Sequence, residues 1–159
     1  MAVREVLLYP DPTLKAVAAP ADASELERVG LDLLETMRSL GHCVGIAAPQ
    51  IGELVRVICV DLSDHPRVVN PNGLLILANP RIVSFDHQSE VAREGCLSIP
   101  SLTANVRRAN SIVVEHSAGR ITSEGFEARC IQHEIDHLDG ILFLDRVESL
   151  VDDLFRRKH

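Results

Sequence analysis

The chain has 159 residues, 46% hydrophobic and 25% charged, with 23 Asp and Glu against 16 Lys and Arg for a net charge of −7. That balance describes one globular domain spanning residues 1–159 and excludes disordered, collagen-like and fibrous designs. An acidic surface also argues against a DNA grip, which needs clustered cations. Aromatics make up 3% and Trp is absent, so the core must be aliphatic. No apolar run approaches the ~20 residues of a membrane helix, and the opening residues lack the apolar stretch of a signal peptide. Four scattered cysteines (Cys43, Cys59, Cys96, Cys130) without a C-x-x-C pair fit neither a disulfide framework nor a zinc ribbon. The expectation is a cytoplasmic monomer with reduced thiols and no membrane attachment.

The first expected helix covers 24–40. Asp22 and Ser24 are available N-caps, Leu26, Val29, Leu33, Met37 and Leu40 share one stripe, and Gly41 stops it. Gly30 inside it costs up to ~1 kcal/mol against Ala, which points to close packing at that turn. Val- and Ile-rich runs at 55–62, 74–78, 81–85 and 111–115 read as short antiparallel strands, with a Pro- and Asn-rich loop at 63–73. A second helix is expected over 124–139, stopped by Gly140, and a weaker third over 150–157. Strands precede the second helix without βαβ alternation, so the fold class is α+β rather than a doubly wound parallel sheet.

The chemistry concentrates in His133-Glu134-Ile135-Asp136-His137, an H-E-x-x-H on the second helix. Residues four apart project from one face, separated by ~6 Å of rise. Two such imidazoles can close on one metal with bonds of ~2.0–2.1 Å. Glu134 then faces a water at that metal without ligating, as a general base does. By itself the pattern also fits two solvated histidines, but the apolar run Ile141-Leu142-Phe143-Leu144 that follows places the helix centrally. Phe143 stands where a metzincin would carry a third histidine. Little chain follows His137, and Glu148 is too near in sequence to return, so the third ligand is expected upstream. Cys130 shares the helical stripe but lies another ~4.5 Å along the axis, too far for a Zn–S bond of ~2.3 Å. Cys130 and Cys59 read as small buried hydrophobes. Cys96, carried by a loop in Glu94-Gly95-Cys96-Leu97-Ser98, is the better candidate: a thiolate and two imidazoles leave one open position for water.

With that, three segments stand in order: Gly45-Ile46-Ala47-Ala48-Pro49-Gln50, Glu94-Gly95-Cys96-Leu97-Ser98 and Gln132-His133-Glu134-Ile135-Asp136-His137. Together they resemble the three motifs of the peptide deformylases, and the likeness covers nearly the whole chain, from Tyr9-Pro10-Asp11-Pro12 to a short C-terminal helix. The resemblance implies small antiparallel sheets packed around a central metal-binding helix. It also implies a hydrolase that removes the N-formyl group from the initiator methionine of new polypeptides, releasing formate. One divalent ion would be held by Cys96, His133 and His137, usually ferrous iron, with zinc, nickel or cobalt also found. Glu134 would serve as general acid and base, with Gln50 and the backbone N–H of Leu97 stabilising the oxyanion. The N-formylmethionyl peptide would lie extended along Val44-Gly45 and Gly95. Cys43, Val44, Phe126 and Cys130 would form the methionine pocket. A Glu94–Arg108 pair would brace the Cys96 loop, contributing under ~1 kcal/mol if exposed.

Two departures from the family pattern stand out. Cys43 occupies a position where the first motif carries Gly, strained if that position needs a positive φ. The stretch 116–121 is shorter than the usual hairpin. Other readings are a metal-dependent peptidase, or a catalytically weakened relative that binds peptide N-termini or a specialised formyl substrate; Cys43 is the feature that favours the last. Arg156-Arg157-Lys158, the one basic run, reads as a solvated helix end, with a transient ribosome contact as its functional alternative.

Overall fold

A computed structural model of the chain describes residues 2–158. Helix α1 (Ala23–Ser39) starts at Asp22, whose side chain accepts from the Glu25 N–H while Glu25 reaches back to the Asp22 N–H. This capping box satisfies two amides that the helix itself leaves without partners. Gly41, at φ 70°, adopts a left-handed conformation that ends the helix. The close packing expected at Gly30 is present: a Cβ there would lie 2.7 Å from Ile76 Cγ2.

Strands β1 (Gly45–Ala47), β2 (Val57–Asp61) and β3 (Leu74–Ala78) form an antiparallel sheet in that order. Strand alternation divides β2 between two cores. Val57 and Cys59 pack with Val29, Leu33 and Met37 of α1. Ile58 and Val60 pack with Ala128, Ile131, Ile135 and Leu138 of α2 (Gly125–Leu138). A strand buried on both faces reads as a continuous apolar run, which is how 55–62 presents itself in the sequence.

Two further antiparallel sheets close around α2. One orders β4 (Arg81–Phe85), β7 (Ser111–His116) and β8 (Gly119–Glu124) as β4-β7-β8; the other orders β5 (Ser89–Cys96), β6 (Ile99–Ala109) and β9 (Leu154–Arg156) as β5-β6-β9. The α+β class and the central helix stand as expected. The short stretch at 116–121 is a tight hairpin with His116 opposite Gly119.

Two expectations need correction. Cys96 is not on a loop: it ends β5, at a register shift between Glu94 and Cys96 opposite β6. Such irregularities re-aim a side chain at the end of a ladder. The C-terminal segment is not helical: 150–153 is turns, and β9 pairs with β6 through Leu102↔Arg156, Thr103↔Phe155 and Ala104↔Leu154. Leu150 and Val151 are 69% and 92% exposed. Only Leu154 reaches a core, beside Leu142 and Phe143.

Candidate metal centre

Helix α2 carries His133 and His137 one turn apart, and β5 brings Cys96 to them. A thiol sulfur and one nitrogen from each ring lie within 4.8 Å of one another, all three residues buried. Cys96 Sγ is 3.5 Å from His137 Nε2. His133 Nδ1 lies 3.0 Å from Glu94 Oε1, which fixes the ring and leaves Nε2 as its other donor atom. For His133, burial pushes the ring toward neutrality, but hydrogen bonds with Cys96 and Glu94 outweigh it and the net direction is up. Burial, with the nearby His133 and Arg108 charges, holds His137 well below the usual imidazole range. Among the described residues, His137 Nδ1 has no hydrogen-bond partner. A buried neutral ring with a sulfur as its near partner is poorly explained as core packing and well explained as one of three metal ligands. One soft sulfur and two imidazoles suit zinc, iron, nickel or cobalt, so the residues fit the ion that the motif implies.

Glu94 belongs to a buried ionic cluster. Its carboxylate accepts two hydrogen bonds from Arg108 (2.9 and 2.9 Å) and one from Arg129 (2.6 Å), besides the His133 contact. Arg108 also donates to Asp136 (2.6 Å), which Arg146 approaches from outside. Burial alone would raise the Glu94 carboxyl, but Arg108 and His133 hold it well below the usual carboxylate range. The Glu94–Arg108 pair that the resemblance implies is therefore present, and it is buried.

Glu134 faces the other wall. Its carboxylate lies against Gly45, where a Cβ would come within 2.7 Å of Glu134 Oε2, and among the described residues its Oε1 has no hydrogen-bond partner. Burial pushes this carboxyl up to about 7, with His133 and Arg108 opposing and Glu94 and Asp136 assisting. A carboxyl that titrates near neutrality is suited to both accepting and donating a proton. Gln50 is oriented by its own turn: Oε1 accepts from the Ala47 N–H (3.0 Å), so Nε2 points to Ser98 Oγ (3.1 Å) and Cys96 Sγ (3.5 Å).

These groups share a cavity of about 340 Å³ whose lining includes Cys43, Val44, Gly45, Gln50, Gly95, Cys96, Leu97, Phe126, Cys130, His133 and Glu134. Every candidate residue from the sequence except His137 thus contributes to its wall; His137 is fully covered behind Cys96. Cys43 is not strained, because the non-glycine residues at positive φ are Asn70 and Asn79 among the described residues. Its Sγ–H donates to Gly45 O (3.2 Å), and burial pushes its thiol up to about 12. Phe126 stacks on His65, with ring centroids 4.5 Å apart.

Sequence reasoning missed Ser98, Arg129, Asp136, His65 and Arg157 as parts of this region. Arg129, His133 and Asp136 follow helical spacing on one face, so the first and last were findable once Glu94 was placed beside His133. Nothing local ties His65, or Arg157 of the basic run, to this region, because both arrive from distant segments.

The model of the polypeptide deformylase family matches residues 3–153. A peptide deformylase of Desulforudis audaxviator is 42% identical over 157 residues, covering 94% of this chain and 97% of that protein. One from Rhizobium meliloti is 35% identical over 165 residues, covering 99% and 92%. Among solved structures, a Met-Ala-Ser-bound class I type b peptide deformylase from Acinetobacter baumannii superposes with a TM-score of 0.82 at 35% identity, covering 92% of this chain and 100% of that one. A peptide deformylase from Thermotoga maritima gives 0.80 at 33% identity, covering 94% and 100%.

Proposed function

The chain belongs to the peptide deformylase family, metal-dependent hydrolases that remove an N-formyl group from polypeptides, and we propose how its own residues do so. Cys96, His133 and His137 would hold one divalent ion, ferrous iron being the family's usual one, with zinc, nickel or cobalt as substitutes. A divalent ion held there supplies Lewis acidity and can lower the pKa of a water to ~7. Glu134 takes the proton from the attacking water at its carboxylate and later delivers it to the leaving amine. The formamide C–N bond breaks, giving formate and a free methionine amine. The Gln50 Nε2–H and the Leu97 N–H face the charge that develops on the former carbonyl oxygen.

The edge of β1 at Val44-Gly45 and the end of β5 at Gly95 flank the cavity, so an N-formylmethionyl peptide adds between them as an extended strand. Cys43, Val44, Phe126 and Cys130 receive the methionine side chain. The unstrained Cys43 supports an active enzyme over a weakened one. We place residues 1–159 as a single catalytic domain, monomeric and cytoplasmic, with exposed Arg156 and Lys158 available for a transient ribosome contact.

The observation that carries this reading is the meeting of one thiol and two imidazoles within 4.8 Å of one another, at the wall of a cavity that the Glu134 carboxyl also lines. The test is formate release from formyl-Met-Ala-Ser by anaerobically prepared, metal-loaded protein. Glu134→Ala should retain the metal and lose turnover by ~10²–10⁴; undiminished formate release would remove Glu134 from its role.

A further inference from the structure

The basic run at the C-terminus has one member that is not part of a solvated tail. The Arg157 N–H donates to Ser101 O (2.9 Å), so its backbone continues the β9–β6 ladder. Its side chain crosses to the end of β5 and lies on Gly95. A side chain at residue 95 would collide with Arg157 Nη2, and its Cβ would lie 3.2 Å from Cζ. Arg157 therefore lines the same cavity as Cys96 and Glu134.

Among the described residues no carboxylate pairs with Arg157, and its Nε is buried without a hydrogen-bond partner. The neighbouring cations are differently placed. Arg129 is committed to Glu94. Arg93 bonds Asn105 and Thr103 and sits 3.6 Å over the Phe155 ring. Arg157 is thus a guanidinium fixed by a strand, set over the backbone along which the peptide is proposed to lie, with donors unused. Such a fork matches a carboxylate.

We propose that Arg157 is a specificity-determining residue that binds a carboxylate of the substrate, downstream of the formylated methionine. This rests on the deformylase reading above. The carboxylate can be the C-terminus of a short peptide or an Asp or Glu side chain, and the same contact serves either.

The test pairs turnover with binding. Formate release is measured with formyl-Met-Ala-Ser as free acid and as amide, and with formyl-Met-Ala-Asp amide and formyl-Met-Ala-Lys amide. Equilibrium binding is measured by calorimetry with the corresponding deformylated peptides. Wild type should favour the free acid, the Asp amide or both over the Ser amide by about 10-fold in KM and in Kd, as expected for one partly exposed charge-assisted contact. Which of the two is favoured identifies the carboxylate source. Arg157→Ala should erase that preference with kcat unchanged, and Arg157→Lys should keep part of it. Arg157→Glu should shift preference to the Lys amide, a gain that a damaged fold does not produce. Equal losses on acid and amide peptides, or no change, would overturn the assignment. A carboxylate preference in binding without formate release from any peptide would strike the deformylase reading and leave Arg157 as a carboxylate binder.

Discussion

Glu94 offers the sharpest test of how the centre is held together. Substituting Ala removes the acceptor shared by Arg108, Arg129 and His133. Breaking one buried ion pair by deleting a partner costs ~3–5 kcal/mol, because the remaining charge is left without compensation. Here the guanidiniums are not fully abandoned. Arg108 keeps Asp136 at 2.6 Å, and Arg129 keeps the carbonyls of Val106 (2.8 Å) and Glu90 (2.6 Å). The low end of the range applies, ~3 kcal/mol, which lowers Tm by ~6–12 °C for a chain of this size. His133 loses the group that orients its ring, so metal affinity should fall ~10–100-fold. Thermal unfolding of the metal-free protein measures the first effect and competition with a chelator the second. Glu94→Gln, which retains an oxygen near His133 Nδ1, should lose less on both. A double-mutant cycle with Arg108→Ala should show strong coupling. Additive effects, or a Tm within ~2 °C of wild type, would refute the account of Glu94 as the keystone of this cluster.

Further expectations follow from close contacts. Gly45→Ala puts a methyl 2.7 Å from Glu134 Oε2; it should displace the carboxylate and slow formate release by at least ~10-fold with metal content unchanged, and full activity would show that Glu134 does not need that place. Gly30→Ala gains up to ~1 kcal/mol of helix propensity but drives a methyl into Ile76 Cγ2. Overpacking costs ~1–3 kcal/mol, so a net loss of stability is expected, measured by urea unfolding; a rise would contradict the packing of α1 on β3. The Cys43 thiol, pushed up to about 12 from 9.0 by burial, should resist iodoacetamide at pH 8, because the reactive thiolate is scarce. Rapid modification of residue 43, mapped by mass spectrometry, would show that the site is more open than the structure has it.

Much of the fold was readable because its apolar runs obey simple periods. The stripe of α1, its Asp22 cap and the glycines at 41 and 140 mark helix bounds directly, and β2 to β4 are plain Val- and Ile-rich runs. β5 and β6 escaped for a physical reason. Their inward positions include Glu94 and Arg108, two charges that neutralise each other in the interior. A binary reading sees polar residues and assigns surface or loop. The same masking hides from a binary reading that the Glu94–Arg108 pair implied by the resemblance is buried. The C-terminal error has a different origin. A short, uncapped helix over 150–157 cannot match the backbone partners that the unfilled edge of β6 offers. The centre itself was legible because H-E-x-x-H is local, and Cys96 because its glycine-flanked motif is ordered relative to it. Arg157 was not, since its place depends on a strand pairing between residues more than fifty apart.

The two glycines at the cavity share one physical logic. Gly45 and Gly95 sit at the start of β1 and near the end of β5, where an incoming peptide would pair, and neither has a positive φ. Backbone conformation therefore does not demand glycine at either place. At each, the space a side chain would fill is taken by a functional group from a remote segment: the Glu134 carboxylate over Gly45 and the Arg157 guanidinium over Gly95. In the roles proposed above, the first moves a proton at the scissile bond and the second receives charge farther along the peptide. Absent side chains on the pairing edges thus allow groups from α2 and from the end of β9 to reach the substrate's path. This account requires residue 95 to tolerate alanine no better than residue 45 does. It also requires Gly95→Ala to weaken carboxylate preference much as Arg157→Ala does, because both remove the guanidinium from its seat.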